Sequence, residues 1–171
     1  TGQFYVYLET IGGGSGARAT RDGLDGVQVH VTNTANLPVE CLEMECPLLV
    51  EEYSLVDDSG GPGRFRGGLG LRRTIRLLGG EATFLGTLER QRFAPWGLFG
   101  GREGGRGALV LNADASGQRA LGSKVAGLAL REGDTVTIVT PGAGGYGSPA
   151  HRERAGPPPR PPEGQGPAGG G

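Results

Sequence analysis

Long apolar runs are missing from this sequence. No stretch approaches the ~20 consecutive apolar residues of a membrane helix, and no signal-peptide pattern stands at the N-terminus. Histidine is nearly absent: there are two in 171 residues, and only His30 lies outside the C-terminal tail. The two cysteines, Cys41 and Cys46, are ~140° apart on a helix and lack the second Cys pair or nearby His of a zinc site. They read as small buried thiols of a reducing, cytoplasmic compartment. One Trp and four Tyr are too few for the aromatic platform of a carbohydrate-binding sandwich. A net charge of −1 argues against a general nucleic-acid or membrane-surface binder. GxSxG, HExxH and Gly-Lys-Ser/Thr are all absent, which removes the usual serine-hydrolase, zinc-protease and P-loop readings.

Glycine is what the chain has in excess, with 36 Gly beside 12 Pro. Part of this excess is a tail, since residues 155–171 hold six of each. The expected organisation is a folded Gly-rich body over residues 1–149 and a disordered Pro/Gly-rich tail over 150–171, with no collagen-like period. The chain enters an apolar strand almost at once (Phe4-Tyr5-Val6-Tyr7-Leu8), as if cut from a larger protein.

Residues 4–11 and 27–33 read as strands, the second with Val27, Val29 and Val31 on one face. Asn33, Thr34 and Asn36 offer helix N-caps, Pro38 fits a first turn, and Pro47 stops the helix near Cys46. Leu42, Val39 and Cys46 share its buried stripe. Further strands are expected at 48–56, 69–78, 82–92, 107–111, 118–122 and 134–140. The fold class that results is mainly β (α+β): Gly-rich antiparallel strands, sandwich or barrel-like, with one short helix near 37–46. Charges are segregated. Every charge from Glu40 to Asp58 is acidic and every charge from Arg64 to Arg76 is basic, which suits neighbouring strands paired across a turn. Ser59-Gly60-Gly61-Pro62-Gly63 is that turn, its glycines supplying positive φ. Trp96 and Phe99 are expected to plug a core edge.

Polar groups concentrate at the end of the second strand. The strand end and the helix start are expected to bring His30, Thr32, Asn33, Asn36, Glu40 and Glu43 near one another there. His30, Glu40 and Glu43 form a possible three-ligand metal set, although Glu pairs on helices are commonly just solvated. Gly12-x-Gly14-x-x-Ala17 echoes a dinucleotide fingerprint, but no apolar helical period follows it. Gly142, Gly144, Gly145 and Tyr146 lie in a second Gly-rich loop whose amides could form an anion-holding nest.

Four segments together resemble the hydantoinase B/oxoprolinase family. They are Gly26-Val27-Gln28-Val29-His30-Val31-Thr32-Asn33-Thr34 with Pro38-Val39-Glu40 and Glu43; Ser59 to Gly68; Gly97-Leu98-Phe99-Gly100-Gly101; and Thr140 to Gly147. The resemblance is to the C-terminal part of a hydantoinase B-type subunit. It implies ATP-dependent opening of a small cyclic amide, hydantoin-like or 5-oxoproline-like. His30 or Glu40 would serve in proton transfer, and Thr32, Asn33, Thr34 and Asn36 would orient the ring. ATP would sit on a hydantoinase A-type companion subunit, and the ligands of any divalent metal would lie mostly upstream. This chain alone is then expected to be inactive. The competing expectation is a non-catalytic β-rich scaffold or subunit-assembly module.

Overall fold

The computed structural model describes residues 4–29, 32, 34–113 and 117–152. Its elements are α1 (Val39–Glu45), β1 (Leu48–Leu55), β2 (Leu71–Leu77), β3 (Glu81–Thr87), β4 (Ala108–Leu111), β5 (Arg119–Leu121), β6 (Lys124–Arg131) and β7 (Thr135–Val139). A short 3-10 turn, Pro149–His151, closes the described chain. The strands form a five-stranded sheet, β1-β2-β7-β4-β5, and a two-stranded ribbon, β3-β6, antiparallel throughout. The mainly β, α+β expectation holds.

Alternation explains how the two layers meet. Ile75 stands opposite Val136, and Leu111 opposite Val136 on its other side, so these side chains share one face. Leu77, Leu130 and Val136 are buried together, with Leu48, Ala82, Phe84, Leu111, Leu128 and Ile138 packed around them. The ribbon thus closes over the large sheet, each fully buried aliphatic side chain contributing roughly 1.5–3 kcal/mol. On the other face Thr74 and Thr137 are buried cross-strand partners, their hydroxyls 2.9 Å apart.

The segregated charges pair as expected. In β1 an extra residue at Glu51 shifts the register between Val50↔Ile75 and Glu52↔Thr74. This bulge keeps Val50 and Tyr53 on the same face although they are three positions apart. Glu51 meets Arg76 at 2.6 Å, and Glu52 lies 3.7 Å from Arg72. β1 is an edge strand, and its Val50 N–H is taken up by the Glu43 carboxylate at 2.8 Å.

Several expectations fail for physical reasons. Residues 4–11 are extended, but no backbone–backbone hydrogen bond among the described residues holds them in a sheet. Tyr5, Tyr7 and Glu9 turn inward while Phe4, Val6 and Leu8 are exposed. Of the strand expected at 27–33, Val27 makes only an isolated bridge to Gly13; His30, Val31 and Asn33 lie outside the described residues. The expected strand at 82–92 ends at Thr87. β6 has no counterpart among the expected strands, because Gly127 breaks its alternation. Ala126 and Gly127 together oppose Leu85, and Gly127 has φ +72, a bulge conformation open to glycine. Asn36 does not cap the helix: Pro38 occupies the N-cap and no side chain caps it. Leu42 is buried as expected, but Cys41 is exposed. Trp96 and Phe99 are exposed rather than plugging a core edge. No helix among the described residues is long and apolar enough to cross a membrane.

The glycine loops depart furthest from expectation. Gly60, Gly61 and Gly63 are not among the positive-φ glycines. They are required instead because backbones touch. Loops from residues 12–26, 59–70, 95–105 and 140–147 lie against one another, joined by bonds such as Gly68 N–H to Ser15 O (2.9 Å), Ala143 N–H to Gly68 O (2.9 Å) and Gly61 N–H to Ala143 O (2.7 Å). Ser59 Oγ accepts from Gly70 N–H and donates to Val56 O.

Asp25 fastens the same loops. It accepts from Arg66 Nη1 at 3.0 Å, Arg66 Nη2 at 3.2 Å and Leu69 N–H at 2.7 Å. The Arg66 bonds, and secondarily the Leu69 amide, hold its carboxyl below the ordinary value of 3.8 against an opposing push from burial. A depressed folded-state value means the stabilisation is complete above the unfolded value and is lost as pH falls through the folded one. Asp25→Asn is therefore expected to lower stability near neutrality by about 1–2 kcal/mol, the pair being partly solvated. It should also flatten the loss of stability below pH about 4. Thermal melts from pH 7 to 2.5 check this; parallel acid limbs for the two proteins would refute it.

Candidate functional site

Two polar regions could serve chemistry. The first surrounds the opening of the helix. Asn36 Nδ2 donates to Tyr53 Oη, and its Oδ1 accepts from Gln28 Nε2 at 2.9 Å. Thr34 Oγ1 donates to Gln28 Oε1 at 2.9 Å, and Gln28 Nε2 also reaches the Thr10 carbonyl. Thr32 Oγ1 donates to Val29 O at 3.0 Å. Thr34 and Asn36 are thus brought together through Gln28, whereas Thr32 turns back on its own loop. Glu40 stands exposed in the first turn of α1, where its charge suits the helix dipole, and takes no part in this network. The His30 and Asn33 positions lie outside the described residues.

The network continues into a residue that sequence reading passed over. The Arg73 guanidinium lies over the Tyr53 ring, 4.9 Å from its centroid. Its Nη1 meets Glu9 Oε2 at 2.6 Å, with Arg73 0% and Glu9 7% exposed at the side chain. Glu9 also accepts from Leu37 N–H at 2.8 Å and from the Tyr7 hydroxyl. Burial, and then the bond to Glu9, push the Tyr7 hydroxyl well above its usual range. Among the described residues, Arg73 Nε and Nη2 have no hydrogen-bond partner. A signal existed: strand parity sets Arg73 on the face of Leu71, Ile75 and Leu77, so an arginine there had to be buried and paired.

The second region is a cleft of about 330 Å³ where three Gly-rich segments converge, lined among others by Gly14, Arg90, Trp96, Pro141, Gly142 and Gly144. The Arg90 guanidinium sits 4.7 Å from the Trp96 ring centroid. Of the four candidate loop residues, Gly142 and Gly144 reach this cleft. Gly145 bonds instead to Arg102 O and Leu98 N–H, and Tyr146 pairs with Phe65 and packs on Phe99 at 5.0 Å.

Neither region fits a nucleotide by the usual device. Arg18 and Arg21 close a tight turn after Ala17, where a pyrophosphate-binding loop would lead into a helix. Among the described residues no three His, Cys, Asp or Glu side chains assemble as a metal set. Glu43, one member of the possible set, is engaged with Val50 N–H.

Known proteins resemble this chain in both sequence and fold. It is 34% identical over 151 residues to the B-type component of a candidate D-/L-hydantoinase of Pseudomonas sp. (strain NS671), covering 88% of this chain and 25% of that protein. It is 40% identical over 145 residues to 5-oxoprolinase 1 of Arabidopsis thaliana, covering 84% of this chain and 11% of that one. The ATP-dependent caprolactamase from Pseudomonas jessenii has the same fold, with a TM-score of 0.70 and 30% identity over 84% of this chain and 25% of that one. The chain therefore spans about a quarter or less of each of these relatives. The family model for hydantoinase B/oxoprolinase matches residues 1–149, and the chain belongs to that family.

Proposed function

We propose that this chain is one portion of an ATP-dependent hydrolase of cyclic amides, hydantoin-like or 5-oxoproline-like, and that it contributes one wall of the substrate site and its scaffold. The carrying observation is that the relatives are named for one chemistry. A hydantoinase component, a 5-oxoprolinase and a caprolactamase each imply attack on a ring amide. In this reading His30 and Glu40 move protons, while Thr32, Asn33, Thr34 and Asn36 present donors and acceptors to the amide edge. The Gly142–Gly144 loop borders the site. ATP belongs to an A-type companion subunit, and metal ligands belong mostly to the upstream part of the full-length protein.

One observation favours a second reading, in which the chain is a non-catalytic scaffold. Both ends of the Asn36 amide, and the Thr34 hydroxyl, are already engaged within the chain. His30→Ala in the full-length protein, assayed with its partner, separates the two. The catalytic reading expects ATP-coupled ring opening to fall by about 10²–10⁴-fold with an unchanged melting midpoint. The scaffold reading expects a lower midpoint and unchanged turnover per folded molecule. Normal turnover in the folded variant would end the site assignment.

A further inference from the structure

We infer that the cleft carrying Arg90 and Trp96 is a binding subsite for a small oxyanion, a carboxylate or a phosphate. Its volume of about 330 Å³ lies at the small end of ligand pockets. Its lining holds one charged side chain, Arg90, among glycines, prolines, Ala143 and Trp96. Among the described residues no carboxylate lines it. Among the described residues Arg90 makes no ion pair and no side-chain hydrogen bond, its guanidinium resting only on the indole. The guanidinium lies over the indole and its N–H groups have no protein acceptor among the described residues, which leaves its fork for a bidentate oxyanion.

Two backbone observations point the same way. Arg90 has φ +62, a conformation uncommon for a residue other than glycine and one that recurs at binding sites. Its carbonyl is held there by Gly107 N–H at 3.2 Å. In the wall, the N–H groups of Gly14, Gly142 and Ala143 are taken by carbonyls, but those of Gly16 and Gly144 have no acceptor among the described residues. Gly144 is buried. A buried backbone donor is rarely left unpaired, and an oxyanion in the cleft supplies the acceptor. With the Arg90 fork, the buried Gly144 amide would give an oxyanion two or three charge-assisted hydrogen bonds.

The inference stands apart from the ring-opening reading, because its test needs no turnover. Trp96 is the only tryptophan in the chain, so its emission reports on the cleft directly. The 171-residue chain is titrated with sodium phosphate and, separately, sodium acetate, with sodium chloride holding ionic strength constant. A saturable change in Trp96 emission is expected with at least one of the two. Saturation by phosphate alone identifies a phosphate subsite, by acetate alone a carboxylate subsite, and by both a general oxyanion subsite. Arg90→Gln should weaken binding by about tenfold or more, and Arg90→Lys, which keeps charge but loses the fork, by less. Anion should raise the melting midpoint of the parent chain, and should raise that of Arg90→Lys less. The inference is overturned if neither anion gives saturation, if chloride alone reproduces the change, or if the folded Arg90→Gln variant titrates like the parent.

Discussion

Gly68→Ala is expected to lower stability by about 3 kcal/mol or more, a large share of a typical domain's 5–15 kcal/mol. A Cβ at this position would stand 1.9 Å from Leu24 O, 2.6 Å from Leu24 C and 2.9 Å from Ser15 N. All three are backbone atoms, so no rotamer change relieves the clash. The loop must move away, and doing so strains the bonds from Gly68 N–H to Ser15 O and from Ala143 N–H to Gly68 O. Gly122→Ala is the matched control, because its Cβ would meet nothing within 4 Å and its φ is not positive. There the change is expected to be neutral or stabilising by about 0.4–1 kcal/mol through the unfolded chain. Urea unfolding of both variants provides the comparison. A Gly68→Ala protein within about 0.5 kcal/mol of the parent would show that the loops are not packed as described.

Removing one side of the buried Arg73–Glu9 pair is expected to cost about 3–5 kcal/mol, because the remaining group is left desolvated without its partner. Arg73→Met should destabilise strongly, as Glu9 is also buried. Glu9→Gln should do the same, leaving a fully buried guanidinium that already has two donors unpartnered among the described residues. Arg73→Met with Glu9→Leu should recover much of the loss, since an apolar pair of similar volume replaces two buried charges. A double-mutant cycle by thermal or urea unfolding measures this coupling. Simple additivity of the single changes would sink the claim that the pair acts as a unit. The pair also fastens residues 4–11, whose backbone has no sheet partner among the described residues. The Arg73 variants should therefore make cleavage near Tyr7 by a protease faster.

Much of the sheet is legible in the sequence because its strands are short runs rich in aliphatic and β-branched residues bounded by turn residues. Leu71, Ile75 and Leu77 of β2 and Val136 and Ile138 of β7 also fall on one face by parity, and the opposed charges of β1 and β2 mark those strands as neighbours. Sequence reading fails at each place where a local rule meets a tertiary one. Gly127 interrupts the alternation of β6, and only its pairing with β3 reveals that the interruption is a bulge. The aromatic and β-branched residues 4–8 favour an extended chain, as found, but propensity cannot supply the neighbour that makes a strand. The glycines of residues 59–70 and 140–147 announce turns in any sequence. That they are present because carbonyls lie where a Cβ would be is knowable only once the loops are brought together. The polar cluster is legible in part: Thr34 and Asn36 meet through Gln28. Its continuation to Tyr53, Arg73 and Glu9 comes from three distant segments and carries no local signature beyond the parity of Arg73.

The interlocked glycine loops also bear on how the chain reaches this state. Gly14, Gly68 and Ala143 meet, yet they are spread along almost the whole described chain. None of these contacts can form before long segments have closed, and glycine surrenders more backbone freedom than any other residue when it does. The loops therefore bring little early reward and are expected to assemble after the sheet that supports them. In kinetic language, the least side-chain-rich part of the molecule is expected on the late side of the folding barrier, so that Gly68→Ala should mainly quicken unfolding in a chevron measurement.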